Sequence, residues 1–124
     1  RVARHDHVIV VISDFDGHDD HTRDLLLNLS THNDVIAVLV YDPFLFELPS
    51  SGELVVSDGE LQVELPFGSG QVRRNIAEAA DARLKRLLQW QNEIGVPVLP
   101  ISSAEETAPQ IRKLLGQIQS RQRR

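Results

Sequence analysis

Between Val10 and His21 the chain reads VVISDFDGHDDH, a run of β-branched residues that breaks into aspartates, a glycine and two histidines. Two carboxylates placed two residues apart at a strand end can do phosphoryl chemistry. Asp14 would attack phosphorus as a nucleophile, and Asp16 would handle the proton. A second chemistry is metal binding. His18 and His21 lie three apart and could face the same way at a helix start, while His5 and His7 alternate on one face of an extended segment. Zinc, however, needs three or four converging ligands with a supporting shell, and the spacing alone does not supply them. A third reading is structural: an aspartate closing a strand caps the turn that follows, and Asp19 and Asp20 suit a helix N-terminus.

The elements that position these residues are legible as patterns. HVIVVIS, residues 7–13, is apolar on both faces and is expected to be central in a parallel sheet. HTRDLLLNLSTHN then places Leu25, Leu26 and Leu29 at helical spacing, with Asn33 suited to a helix end. DVIAVLVYD, residues 34–42, reads as a second buried strand, so that strand, helix and strand form a right-handed crossover. An insertion follows, with a β-hairpin expected over about residues 53–65 around Asp58-Gly59. From Gln71 to Ile94 the apolar residues recur at spacings of three and four, a long amphipathic helix that Gly95 ends. VPVLPIS, residues 96–102, is a third strand, and its two prolines assign it to a sheet edge. A closing helix starts near Thr107 and Pro109.

The fold class is therefore α/β: an open, mainly parallel sheet with flanking helices and a small hairpin insertion. Residues 1–120 are expected to form a single domain, and 121–124 a basic tail. Ligands of open α/β sheets bind beyond the carboxyl ends of the strands. Asp14, Asp16, Asp42, Ser102 and Ser103 are thus expected to share one rim. The first strand has only six residues before it, so one side of it is expected to lack neighbours unless a later strand crosses over to cover it or covering strands lie upstream of Arg1.

Composition narrows the function classes. The 124 residues carry a net charge of −5 with acids and bases mixed along the chain, which argues against nucleic acid as a partner. No cysteine is present, which excludes disulfides and thiolate zinc sites. No apolar run approaches the ~18 residues of a membrane span. The chain begins at Arg1 and has no methionine, and is read as part of a longer protein. A cytoplasmic location is expected, with an anchor upstream left open.

Two resemblances follow from these residues. Asp14-Phe15-Asp16-Gly17 at a strand end resembles the opening motif of the haloacid dehalogenase superfamily, which implies a phosphatase with Asp14 as nucleophile and Asp16 as acid/base. That superfamily continues with a threonine or valine where His18 stands, and ends its second strand in serine or threonine where Tyr41-Asp42 stands. The phosphatase is therefore the alternative reading. The stretch DVIAVLVYDPFLFELPSSGELVVSDGE, with VVISDF upstream, the arginine- and leucine-rich helix and ISS before the last helix, resembles the bacterial family called domain of unknown function 58.

Members of that family carry a von Willebrand factor A-like domain. The resemblance implies that the strand ending at Asp14 is the fourth of such a domain and that the chain is its carboxyl-terminal part. It also implies magnesium or manganese held in the longer protein, with Asp14 as one ligand. No Asp-x-Ser-x-Ser motif, which supplies the other ligands, occurs in this sequence. By the same resemblance the protein is a non-enzymatic interaction module, partnered by another protein such as an AAA+ ATPase of the MoxR type. A strand of buried type left with an unpaired edge is a template for another chain, so self-association through residues 7–13 is expected.

Overall fold

The computed structural model describes residues 5–48, 53–57, 59–66 and 70–122. The chain falls into two compact units, one of residues 1–42 and 84–124 and the other of residues 43–83. The second unit holds a short 3-10 turn at Pro43–Leu45, strands β3 (Glu53–Ser57) and β4 (Gln62–Pro66), and the first part of helix α2 (Gly70–Ile94). β3 and β4 pair antiparallel with Ser57 opposite Gln62. Between them Gly59 takes φ +103°, a backbone state that glycine adopts without strain. Asp58, the other half of the expected turn signal, lies outside the described residues.

The first unit is built on three parallel strands in the order β1 (Val8–Ser13), β2 (Asp34–Tyr41), β5 (Val98–Ser102). Val8 pairs with Asp34 and Ser13 with Leu39; Ala37 pairs with Val98 and Tyr41 with Ser102. The central place belongs to β2. Residues 7–13, of the type expected at the centre of a sheet, have the unpaired side that was also expected: β1 is an edge strand among the described residues, and its side chains alternate between exposed and half-buried. An apolar run on both faces permits burial on both, but burial also requires covering elements, and among the described residues these reach only one face of β1.

That covered face carries the core. Ile9 and Val11 of β1, Val35, Ala37 and Leu39 of β2, and Val98 of β5 pack with Leu26 and Leu29 of α1 (Asp20–Ser30) and with Leu84, Leu87, Trp90 and Ile94 of α2. Leu87 is 0% exposed and Trp90 2%. Helix α3 (Thr107–Gln122) packs on β5, where Leu99 and Ile101 are buried. α3 runs to Gln122, so the first two residues of the expected tail are helical.

Local signals set the helix ends. Asp19 is the N-cap of α1: its Oδ1 accepts the Thr22 amide at 2.9 Å, and the Thr22 hydroxyl oxygen accepts the Asp19 amide at 3.3 Å. The reciprocal bonds satisfy two amides that the first helical turn leaves without partners. At the other end Asn33 Nδ2 donates to Leu29 O at 2.9 Å, while its Oδ1 accepts the His7 amide at 3.1 Å, tying the α1 exit to the start of β1. α2 stops at Gly95, whose φ of +72° lies in the left-handed region of helix C-terminal glycines.

The Thr22 amide, then the Thr22 hydroxyl, hold the Asp19 carboxyl below its ordinary value. A folded-state pKa below the unfolded one contributes stability that is present above the unfolded value and lost as pH falls through the folded one. Asp19→Ala is therefore expected to lower the melting temperature at pH 7, with the gap to the parent closing as pH is taken down through the carboxylate range in thermal melts. Leu87→Ala leaves a cavity under β2 and is expected to cost about 2–5 kcal/mol in urea titrations followed by Trp90 fluorescence. Val8→Thr on the open face is expected to change stability by no more than about 0.5 kcal/mol in the same titration.

Candidate interaction surface and the strand-end rim

The rim forms where the sequence places it. β1, β2 and β5 run parallel and end together, which brings Asp14, Asp42, Ser102 and Ser103 to one end of the sheet, with Asp16 two residues beyond β1. Asp14, Asp16, Asp42 and Ser103 are exposed, while Ser102 is buried.

The chemistry of these groups is that of a tight turn. Ser13 Oγ accepts the Phe15 amide at 2.9 Å, and Asp14 Oδ1 accepts the Asp16 amide at 3.0 Å. Side-chain oxygens bonded to the amide two residues on are the means by which serine and aspartate fold a chain back on itself. Phe15 takes φ +53° and is buried in the core, so the turn drives an aromatic ring inward while Asp14 and Asp16 stay outside. A positive φ at a bulky residue is strained, and burial of the ring offsets that cost.

The histidines are also drawn into packing. His18 donates its amide to Phe15 O at 3.2 Å, and its Nδ1 lies 3.0 Å from the same oxygen. Its ring stands edge-on to Trp90 at 5.6 Å, and the Arg86 guanidinium lies 5.9 Å from the centre of the Trp90 ring. Arg86 also reaches Asp20 at 2.7 Å. His5 and His32 stack edge to face at 4.7 Å at the other end of the sheet. Among the described residues no three histidine, aspartate or glutamate side chains converge as a cation site. The two lysines sit on α2 and α3, and the groove that Lys113 lines with Pro100, Glu105, Glu106 and Pro109 contains none of the rim aspartates.

The larger feature is the open side of β1. Val8 is 69% exposed, Val10 51% and Ile12 69%. Beside them Ile36, Val38 and Val40 of β2 point the same way in register and are half-buried. A contiguous apolar stripe of this kind marks contact with another apolar surface.

The backbone of β1 is open along the same line. The Asp34 amide donates to His7 O at 2.9 Å, and with Val8 opposite Asp34 the parallel ladder turns the N–H and C=O groups of Ile9 and Val11 toward β2. Those of Val8, Val10 and Ile12 point outward.

The opposite edge of the sheet is closed by side chains. The Ala37 amide donates to Pro97 O and the Ser103 amide to Tyr41 O, each at 2.9 Å, so the outward residues of β5 are Val98, Pro100 and Ser102. Gln91 Oε1 accepts the Val98 amide at 3.0 Å, Pro100 has no amide to offer, and Gln110 Oε1 accepts the Ser102 amide at 2.8 Å. Gln110 Nε2 donates back to Ser102 O at 3.0 Å. Sequence reasoning assigned Pro100 to an edge and missed Gln91 and Gln110. Nothing in their spacing distinguishes them from other polar helix residues; only their position beside an edge strand does.

No helix of the described residues is long and apolar enough to cross a membrane. No solved structure matches the chain. It is 33% identical over 102 residues to the uncharacterized protein MAV169 of Mycobacterium avium, an alignment that takes in 82% of this chain and 60% of that protein. The chain thus spans about three fifths of the length of that relative. The family model described as "Protein of unknown function DUF58" matches residues 1–86, from the start of the chain through the parallel β1–α1–β2 unit and the hairpin into α2, and the chain belongs to that family.

Proposed function

We propose that this chain is a protein-interaction module without catalytic chemistry of its own, built as the carboxyl-terminal part of a von Willebrand A-like domain. The observation that carries the reading is the uncovered β1: three outward aliphatic side chains and three outward backbone positions on one edge strand. Such a surface gains free energy by burying apolar area and by pairing peptide groups, neither of which needs a reactive side chain. The parallel order of the sheet and an aspartate at the carboxyl end of β1 support the von Willebrand A-like assignment. In a longer protein Asp14 would be one ligand of a magnesium or manganese ion, together with oxygen ligands from elsewhere, because hard cations need several.

The partner class that fits the family resemblance is an AAA+ ATPase of the MoxR type, met in the cytoplasm at β1 and at the rim of Asp14, Asp16, Asp42, Ser102 and Ser103. The test is binding of such an ATPase to the immobilised chain and to the Val8→Lys/Ile12→Lys variant. Both substitutions sit on exposed side chains, so the fold is retained, and charge on the stripe is expected to weaken binding by about tenfold or more. Binding that survives these changes and disappears in Asp14→Ala would move the contact to the rim. Hydrolysis of a phosphate ester by the parent, abolished in Asp14→Asn, would replace the interaction reading with the phosphatase.

A further inference from the structure

The edge of the sheet away from β1 is closed to only half of what a strand presents. Along β5 the outward amides are answered within the chain, Val98 by Gln91 and Ser102 by Gln110, and Pro100 has none to offer. The outward carbonyls fare differently. Ser102 O accepts Gln110 Nε2, whereas among the described residues no donor reaches Val98 O or Pro100 O. This edge therefore offers acceptors and no donors. A peptide strand brings an acceptor for nearly every donor, so one laid here would leave its own carbonyls unpaired.

Val98 and Pro100 line a groove that follows this edge between α2 and α3. Near the start of α3 the groove has a volume of about 520 Å³, with Pro100, Pro109 and Leu114 as apolar lining and Glu105, Glu106 and Lys113 as its charged groups. Pro100, Leu114 and Gln117 carry it on into a further 200 Å³ bounded by Leu88, Val98 and Ile118. The first part alone lies within the roughly 300–1,000 Å³ of ligand clefts. Gln110 Nε2 also donates to Glu105 O and Glu106 O, each at 3.2 Å, which fixes the turn that carries the two acids. Among the described residues neither carboxylate enters an ion pair, nor does Lys113. Two acids against one base leave the groove negative.

We propose that this groove takes an arginine side chain from an exposed segment of a partner protein. A guanidinium donates hydrogen bonds and accepts none, which makes it the complement of an edge whose free groups are carbonyls and carboxylates. Its aliphatic stem lies on Pro100, Pro109 and Leu114 while the charged head meets Glu105 and Glu106, the division that a long cationic side chain allows. The planar head engages a carboxylate through two parallel bonds, which the ammonium of lysine does not. An anionic ligand would meet the two acids at close range, and a purely apolar one would cover the carbonyls without bonding them. The site lies on the opposite edge from β1 and stands whether or not β1 is a contact surface.

The test is a titration of the isotope-labelled chain with the peptide acetyl-Leu-Arg-Leu-amide, followed by nuclear magnetic resonance. Saturable shifts confined to β5 and the residues that line the groove are expected. Citrulline in place of the arginine keeps the shape and removes the charge, and is expected to weaken binding about tenfold. Glu105→Gln/Glu106→Gln is expected to weaken it by a similar factor, whereas Lys113→Gln removes the competing cation and tightens it about threefold. All three side chains are exposed, so melting temperatures are expected to stay with the parent. Absence of saturable shifts at millimolar peptide, or equal binding of the citrulline peptide, would overturn the proposal. So would a loss on Glu78→Gln, an exposed acid outside the groove, as large as the loss on the groove pair. Tighter binding of acetyl-Leu-Glu-Leu-amide than of the arginine peptide would overturn it as well.

Discussion

A parallel sheet needs cover on both of its faces, because its strands are apolar throughout and the crossovers that join them carry the helices that do the covering. Here α1 and α2 cover one face, leaving Ile9 and Val11 of β1 half-buried, and α3 packs on β5. Among the described residues, what remains open is the outer face and outer edge of β1, with Ile36, Val38 and Val40 of β2 half-buried beside it. The core is well formed where cover exists, with Leu39, Leu87 and Val96 among the most buried side chains of the chain. It thins toward β1, where the same kind of residue is left in water.

The acidic turn after β1 illustrates how chemistry and architecture use the same residues. Asp14, Asp16 and Asp19 each accept or flank a backbone amide bond that shapes the passage from strand to helix: Asp14 bends the chain, Asp16 receives the bend, and Asp19 starts α1. Phe15 is turned inward by the same geometry and His18 is laid against Trp90. Aspartate and glycine favour turns for reasons independent of catalysis, since a short carboxylate can accept a nearby amide and glycine tolerates positive φ. A motif of this composition at a strand end is therefore ambiguous until its hydrogen bonds are known.

Much of the architecture could be read from the residues. The alternation of β-branched runs with amphipathic stretches is strong enough to place the strands and α-helices within about three residues, though it missed the 3-10 turn at Pro43–Leu45, and Gly95 and Thr107 mark ends that the backbone obeys. The convergence of Asp14, Asp42 and Ser102 at one rim follows from parallel order alone. The residues of β1 are of the type expected at a sheet centre, yet the few residues before it also predict an unpaired side, and the structure shows that side: periodicity reports what a strand could bury and says nothing of whether a partner is there to bury it. The closure of β5 was half legible: proline announces a missing amide, whereas Gln91 and Gln110 act only through proximity set by α2 and α3.

The most direct test of the account is amide hydrogen exchange along β1, followed by nuclear magnetic resonance in the free chain and with a protein partner added. Amides of Ile9, Val11 and Ser13 bond to β2 and should exchange slowly throughout. Those of Val8, Val10 and Ile12 face outward and should exchange fast in the free chain and become protected when the partner binds, in alternation along the strand. Uniform slow exchange in the free chain would show the edge already closed within one chain, and fast exchange of the outward amides with the partner bound would show that the partner does not use this edge.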